Sequence, residues 1–301
     1  MSKHDFVGTL TFLVLWGGST AYLGATGADW TFPLVALGIF AVGLSAVAWL
    51  TTRGAKTTPI AVARPALESG ALLVYLALYA IFFLGYGMGA LREEIPAGRT
   101  QEVAVLSVKL LVHVVLPALL LLALGARLKP LFVSQLPGRQ FWLTFVVLGA
   151  IITALLAVVS PSLQEVGALE PSVATLAWAV PATFVWIAVE AGLNEEFLFR
   201  AVLQTRLAAW FKSEWTGIVV TSVIFGLGHV PGLFLRGGPG VDGWSTDPWQ
   251  VIAFTVATLA PISVFVGFLY ARTKSLLLCV LIHASVDLLP TLAEFLKTWA
   301  P

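Results

Sequence analysis

Residues 190–203 read EAGLNEEFLFRAVL. Three carboxylates and an arginine stand there among Leu, Phe, Val and Ala. Either this is the end of an ordinary helix, where charges are cheap, or it is a charged patch inside a helix surrounded by lipid. The rest of the chain decides between them. Of its 301 residues, 58% are hydrophobic and 11% are charged, whereas a soluble domain carries about 25% charged residues. Mean hydropathy is +0.93. The apolar residues lie in long runs, and ~20 consecutive ones suffice to cross a bilayer. Barrel strands would instead alternate apolar and polar residues. The expected fold is therefore all-α: a polytopic transmembrane helical bundle of about eight to nine spans, with the lipid bilayer as partner.

Nine candidate spans fall near residues 6–24, 32–50, 67–91, 102–125, 141–160, 182–210, 214–231, 249–271 and 275–297. The first could also be read as a signal peptide with small residues near 25–28. A retained span is the preferred reading, because Asp5 interrupts the n-region and the apolar run is long. Residues 161–181 are ambiguous, and Pro181 is expected to break or kink any helix running through it. A formal net charge of +1 gives no basic surface for nucleic acid, and the single cysteine, Cys279, allows no internal disulfide. No internal repeat is evident.

Lys and Arg crowd into alternate loops: Arg53, Lys56 and Arg64; Arg127, Lys129 and Arg139; Arg206 and Lys212; Arg272 and Lys274. The loops between them are poorer in positive charge. The positive-inside rule then puts the N-terminus in the cytoplasm and the C-terminus outside.

Three short motifs carry the candidate chemistry. In NEEFLFR, Glu196 and Arg200 are four apart, share one helix face and can pair. Glu195 points ~100° away, towards a cavity for which Ala191 and Gly192, one turn back, leave room. A charge at the bilayer centre costs ~2.5–3.5 kcal/mol or more and usually marks function. In VIFGLGHVPG, Phe225 and His229 are four apart at the end of an apolar helix. In CVLIHASVDLLP, His283 and Asp287 are four apart, and an imidazole and a carboxyl on one face can orient each other. The bland readings are a helix–helix hydrogen bond for His229 and a packing pair for His283 and Asp287.

The motifs gain from each other. The polar turn FKSEW, near Lys212 and Ser213, lies about midway between Glu195 and His229, so an antiparallel hairpin brings the two level. His283 falls near mid-membrane. A carboxylate and a histidine around a water form a general-base arrangement, and a second imidazole with a carboxyl can bond a developing oxyanion. That constellation suits hydrolysis of an amide. Other nucleophiles fit poorly. Ser19 in GGST has no evident partner, nothing activates Cys279, and an aspartyl site needs two intramembrane aspartates where only Asp287 is found.

Together the motifs resemble the CPBP family of CAAX prenyl protease type II and bacteriocin-processing intramembrane proteases, whose pattern is EExxxR, FxxxH and HxxxN or HxxxD. The resemblance covers about residues 180–290. It implies a catalytic core at 161–301 preceded by N-terminal transmembrane helices at 1–160. It also implies a metal-independent endopeptidase without cofactors, acting on a membrane-associated protein or peptide. Glu195 and His229 would activate water, and His283 and Asp287 would form the oxyanion hole, with Glu196, Arg200 and Phe225 in support. Two positions depart from the family pattern. Ala201 stands where Gly is frequent. Asp287 replaces Asn, so it either donates as a protonated acid or only orients His283.

Two other classes fit the same residues. Two Glu and two His could ligate zinc, though HExxH is absent. A transporter or immunity-type binding protein could use Lys109, His113 and Glu190 as an ion path. The plain alternatives are a snorkelling Lys109 and a Glu190–Asn194 hydrogen bond. Finally, Glu195 and His229 lie ~25 Å along their helices from the basic turn at 206–212. The cavity is therefore expected to open outward, under a glycine-rich stretch in which Phe234 and Trp244 would form a lid.

Overall fold

The computed structural model describes residues 2–300. It is 81% helical, with no strand among the described residues. Nine of its helices are long and apolar enough to span a membrane: α1 (Lys3–Ala25), α2 (Thr31–Thr51), α3 (Pro65–Glu94), α4 (Arg99–Ala123), α5 (Gly138–Val159), α7 (Val173–Phe211), α8 (Glu214–Arg236), α9 (Pro248–Thr273) and α10 (Leu276–Trp299). A short α6 (Ser162–Ala168) lies before α7. The protein is an integral, multi-pass membrane protein. Large apolar side chains such as Val14, Phe82, Trp142 and Val158 stand exposed around the bundle. Lipid accepts such a surface, whereas water penalises large apolar patches.

The helices α9 and α10 form the centre. Their most apolar windows are 72% and 56% buried, against a third or less for the other spans. Around them, α8 packs on α9, α7 and α1, while α10 packs on α7 and α5. Two tight turns join α7 to α8 and α9 to α10. The chain reverses at Lys212 and Lys274, each left-handed with φ of 52° and 47°. The next helix starts at Ser213 or Ser275, whose hydroxyl accepts from a first-turn N–H, a common N-cap device.

Pro181 does not end a helix. α7 runs on through it for 39 residues, and Pro181 sits on an exposed face. Proline inside a membrane helix is tolerated when local adjustments satisfy the freed backbone. Small residues let the central helices approach. A Cβ on Gly192 would come 2.8 Å from the Val280 carbonyl, and one on Gly226 would come 2.8 Å from the Thr255 carbonyl. The room left by Gly192 is thus taken by the backbone of α10, not by a cavity.

The ends of the bundle differ. At the end carrying the 52–64, 124–137, 212–213 and 274–275 turns, polar bonds tie the segments together. Arg206 Nε lies 3.3 Å from Glu68 Oε2, both side chains buried, and Lys274 Nζ lies 2.8 Å from Glu214 Oε1. Arg272 donates to the Thr52 carbonyl at 2.9 Å. Gln135 accepts from Thr58 N–H at 2.7 Å and donates its own N–H to the Thr273 carbonyl at 3.1 Å. Breaking one partner of a buried pair leaves an uncompensated charge, at ~3–5 kcal/mol. Glu68→Ala should therefore lower the unfolding midpoint in detergent clearly, while Glu68→Leu with Arg206→Met should recover most of the loss. Equal midpoints for wild type and Glu68→Ala would show that the pair does not hold this end.

Candidate active site

Helix α7 supplies Glu195, Glu196 and Arg200 from a stretch that is not a regular α-helix. Residues 188–193 and 196–204 are π-helical. Such stretches also occur at 36–44, 79–87, 111–115 and 255–259, so the π register does not by itself mark this one. All nine residues from Glu196 to Gln204 are buried, so protein surrounds this part of α7 on every side.

Glu196 uses both carboxylate oxygens. Oε2 lies 3.0 Å from Arg200 Nε, with both side chains at 1% exposure or less. Oε1 lies 2.7 Å from His283 Nδ1. The Arg200 guanidinium also sits 5.0 Å from the centre of the Phe225 ring, a cation–π distance. Phe225 also meets His229, ring to ring at 4.7 Å, and Phe199 edge-on at 5.1 Å. Phe225 is therefore packed between the buried arginine and the second histidine.

The helix α8 is interrupted at His229. There His229 Nδ1 lies 2.9 Å from the Phe225 carbonyl. A carbonyl only accepts, so Nδ1 carries the proton and Nε2 is the nitrogen left for other partners. On α10, His283 Nε2 lies 3.1 Å from Asp287 Oδ2 and 3.8 Å from Glu195 Oε2. Both nitrogens of His283 thus face carboxyl groups. The ring can donate on both sides only as imidazolium; with a neutral ring, Asp287 carries a proton and donates to Nε2.

Two cavities meet at Glu195, Phe225 and His229. One, about 230 Å³, is lined also by Glu196, Arg200, His283 and Asp287. The other, about 280 Å³, is lined also by Tyr79, Lys109, His113 and Arg236. The seven residues singled out in the three motifs, Glu195, Glu196, Arg200, Phe225, His229, His283 and Asp287, all line the first cavity.

The second wall comes from α3 and α4, and the motifs carry no sign of it. His113 Nδ1 lies 2.9 Å from the Lys109 carbonyl, so its Nε2 accepts from the Tyr79 hydroxyl at 2.8 Å. Lys109 neither snorkels nor stands free: its Nζ is 2.6 Å from Glu190 Oε1. Asn194 does not take the Glu190 side chain; it donates to the Glu190 and Val189 carbonyls. Three of the four histidines therefore line one connected space. The sequence signal for the third was the Lys109–His113 spacing. Phe234 and Trp244 line neither cavity at Glu195. Trp244 lies against Gly237 and borders a separate pocket with Leu23, Phe32 and Phe254, so the expected lid is not found.

With this geometry in view, the chain was compared with known proteins. Residues 174–289 match the family model described as Type II CAAX prenyl endopeptidase Rce1-like. This segment is an Rce1-like domain. It spans α7 to the middle of α10 and contains all three motifs. The Tyr79, Lys109 and His113 wall lies outside it. Comparison with curated proteins and with solved structures gave no match.

Within the Rce1-like domain the Glu196–Arg200 pair is fully buried, so Arg200→Ala should cost ~3–5 kcal/mol of stability. Arg200→Lys should rescue little, because a lysine lacks the planar fork. Thermal unfolding of the purified variants reads both. Wild-type stability in Arg200→Ala would contradict a supporting role for the pair.

Proposed function

We propose that the protein is an intramembrane endopeptidase that cleaves a peptide bond of a membrane-associated protein or peptide with a water activated by Glu195 and His229. One observation carries the reading: Glu195, the free Nε2 side of His229 and the His283–Asp287 pair belong to one space inside the bundle. The Rce1-like match supports a peptide-bond hydrolase. The roles of individual residues are inferred from geometry.

Glu195 is the carboxylate left without a close partner, 3.8 Å from the nearest imidazole nitrogen. Glu196 is committed to Arg200 and His283. Glu195 therefore takes a proton from water as hydroxide adds to the substrate carbonyl carbon, and His229 Nε2 holds that water. The carbonyl becomes an oxyanion, which accepts from the one proton held between His283 Nε2 and Asp287. Collapse breaks the C–N bond, and the proton held by Glu195 passes to the leaving amine. The products are an acid and an amine, as the addition of one water requires. Glu196 positions His283 through Nδ1, and Arg200 and Phe225 hold Glu196 and His229.

Residues 161–301 would form the catalytic core, with 1–160 contributing helices around it. No metal enters this scheme.

Glu195→Gln and His229→Ala should each abolish cleavage while leaving the unfolding midpoint near wild type. The readout is the set of new protein termini in membranes expressing wild type and absent from those expressing Glu195→Gln. Termini that persist with a purified, folded Glu195→Gln enzyme would sink the mechanism. EDTA or o-phenanthroline should leave the same cleavage intact. Loss restored by added zinc would favour a metalloprotease instead.

A further inference from the structure

From Glu195 the cavities can be followed to one end of the bundle. Along α3 the cavity wall passes from Tyr79 through Leu84 to Met88. It continues into a wider vestibule of about 630 Å³ bordered by Met88, Arg92 and Glu93. Along α4 it runs back from His113 through Lys109 to Val105. Along α7 it runs back from Glu195 to Glu190, and along α8 it runs forward from Phe225 to Arg236. These four helices alternate in direction, so all four walls progress towards the end that carries loops 95–98, 160–172 and 237–247. Arg236 stands where cavity and vestibule meet, its guanidinium donating to the Leu84 carbonyl at 2.7 Å.

The opposite end is the one tied by Glu68–Arg206, Lys274–Glu214 and Gln135. It also holds the positive charge. Of the seventeen Lys and Arg residues, four (Arg92, Arg99, Arg236 and Lys297) lie at the open end and two (Lys109 and Arg200) lie within the bundle. The remaining eleven lie at the tied end. That bias sets the tied end in the cytoplasm.

Resting on the function proposed above, we infer that the substrate reaches Glu195 from the non-cytoplasmic side, so that it is an exported polypeptide, or a membrane protein cut on its exported flank, and not a cytosolic lipid-modified protein. A polypeptide approaching from the cytoplasm would have to open the end held by the buried Glu68–Arg206 pair and the Lys274–Glu214 and Arg272–Thr52 contacts. One approaching from the exported side meets a water-accessible vestibule that is continuous with the site.

The chain has one cysteine, Cys279, and it is buried. Cys279→Ala therefore gives a background in which single cysteines report exposure. Thr246→Cys marks the open end, Lys56→Cys the tied end and Leu233→Cys the cavity wall. In right-side-out spheroplasts, a membrane-impermeant thiol reagent should modify Thr246→Cys and Leu233→Cys and leave Lys56→Cys untouched. In inverted vesicles Lys56→Cys alone should react. Reaction of Lys56→Cys in spheroplasts would overturn the orientation. Reaction of Thr246→Cys without Leu233→Cys would overturn the access route. The labelling needs no activity, so its failure is separate from failure of the glutamate mechanism. Glu195-dependent new termini should also map to exported flanks of membrane proteins or to exported peptides; termini on cytoplasmic flanks would reject the substrate class.

Discussion

Glu196 holds the site together because each of its oxygens binds a different element. One meets Arg200 on its own helix and the other meets His283 on α10. A carboxylate in a low-dielectric interior is costly unless it is paired and hydrogen-bonded, and this one is paired twice. The same contacts fix the register of α7 against α10. Gly192 then makes the close approach possible, since any side chain there would meet the Val280 carbonyl. The Phe225 ring extends the arrangement to α8 by filling the space between Arg200 and His229. Helices α7, α8 and α10 are thus set by one carboxylate, one guanidinium and one ring.

What the sequence could reveal follows from the range over which each interaction acts. Spans are set by apolar run length, and the nine helices lie close to the nine runs. Partners four apart on one helix, such as Glu196 with Arg200, can be seen from spacing alone. Pairs between helices cannot. Lys109 finds Glu190 across 81 positions and Tyr79 finds His113 across 34, and neither pair has a local signature. The π-helical stretches at 188–193 and 196–204 have no signature in the apolar pattern either. Pro181 misled for a related reason. The rule that proline ends helices presumes that the lost bond cannot be compensated, and within a membrane bundle it can. The lid failed because Trp244 is already engaged with Gly237 and its neighbours.

The two halves of the chain do different work around the same space. The Rce1-like domain supplies the carboxylates and two histidines. The helices before it supply Tyr79, Lys109 and His113 along the path to the open end. His113 is fixed as an acceptor at Nε2 by its bond to the Lys109 carbonyl, so the Tyr79 proton is committed to it and the lone pairs of the Tyr79 oxygen remain available to an N–H group. The outer wall of the cavity thus offers an acceptor at Tyr79 beside the cations Lys109 and Arg236.

The contrast between the adjacent glutamates then has a physical cause. Successive residues on a helix project in different directions, so only one of Glu195 and Glu196 can face Arg200. The one that does becomes part of the scaffold, buried and doubly paired. The other is left between two histidines, with no cation as close to it as Arg200 is to Glu196. Leaving a carboxylate so incompletely paired inside a membrane protein is tolerable only where water reaches it, and the cavity joined to the vestibule at Arg236 provides that route. Water is also the co-substrate of amide hydrolysis. The opening that makes Glu195 energetically acceptable is therefore the same one that would bring it its reactant.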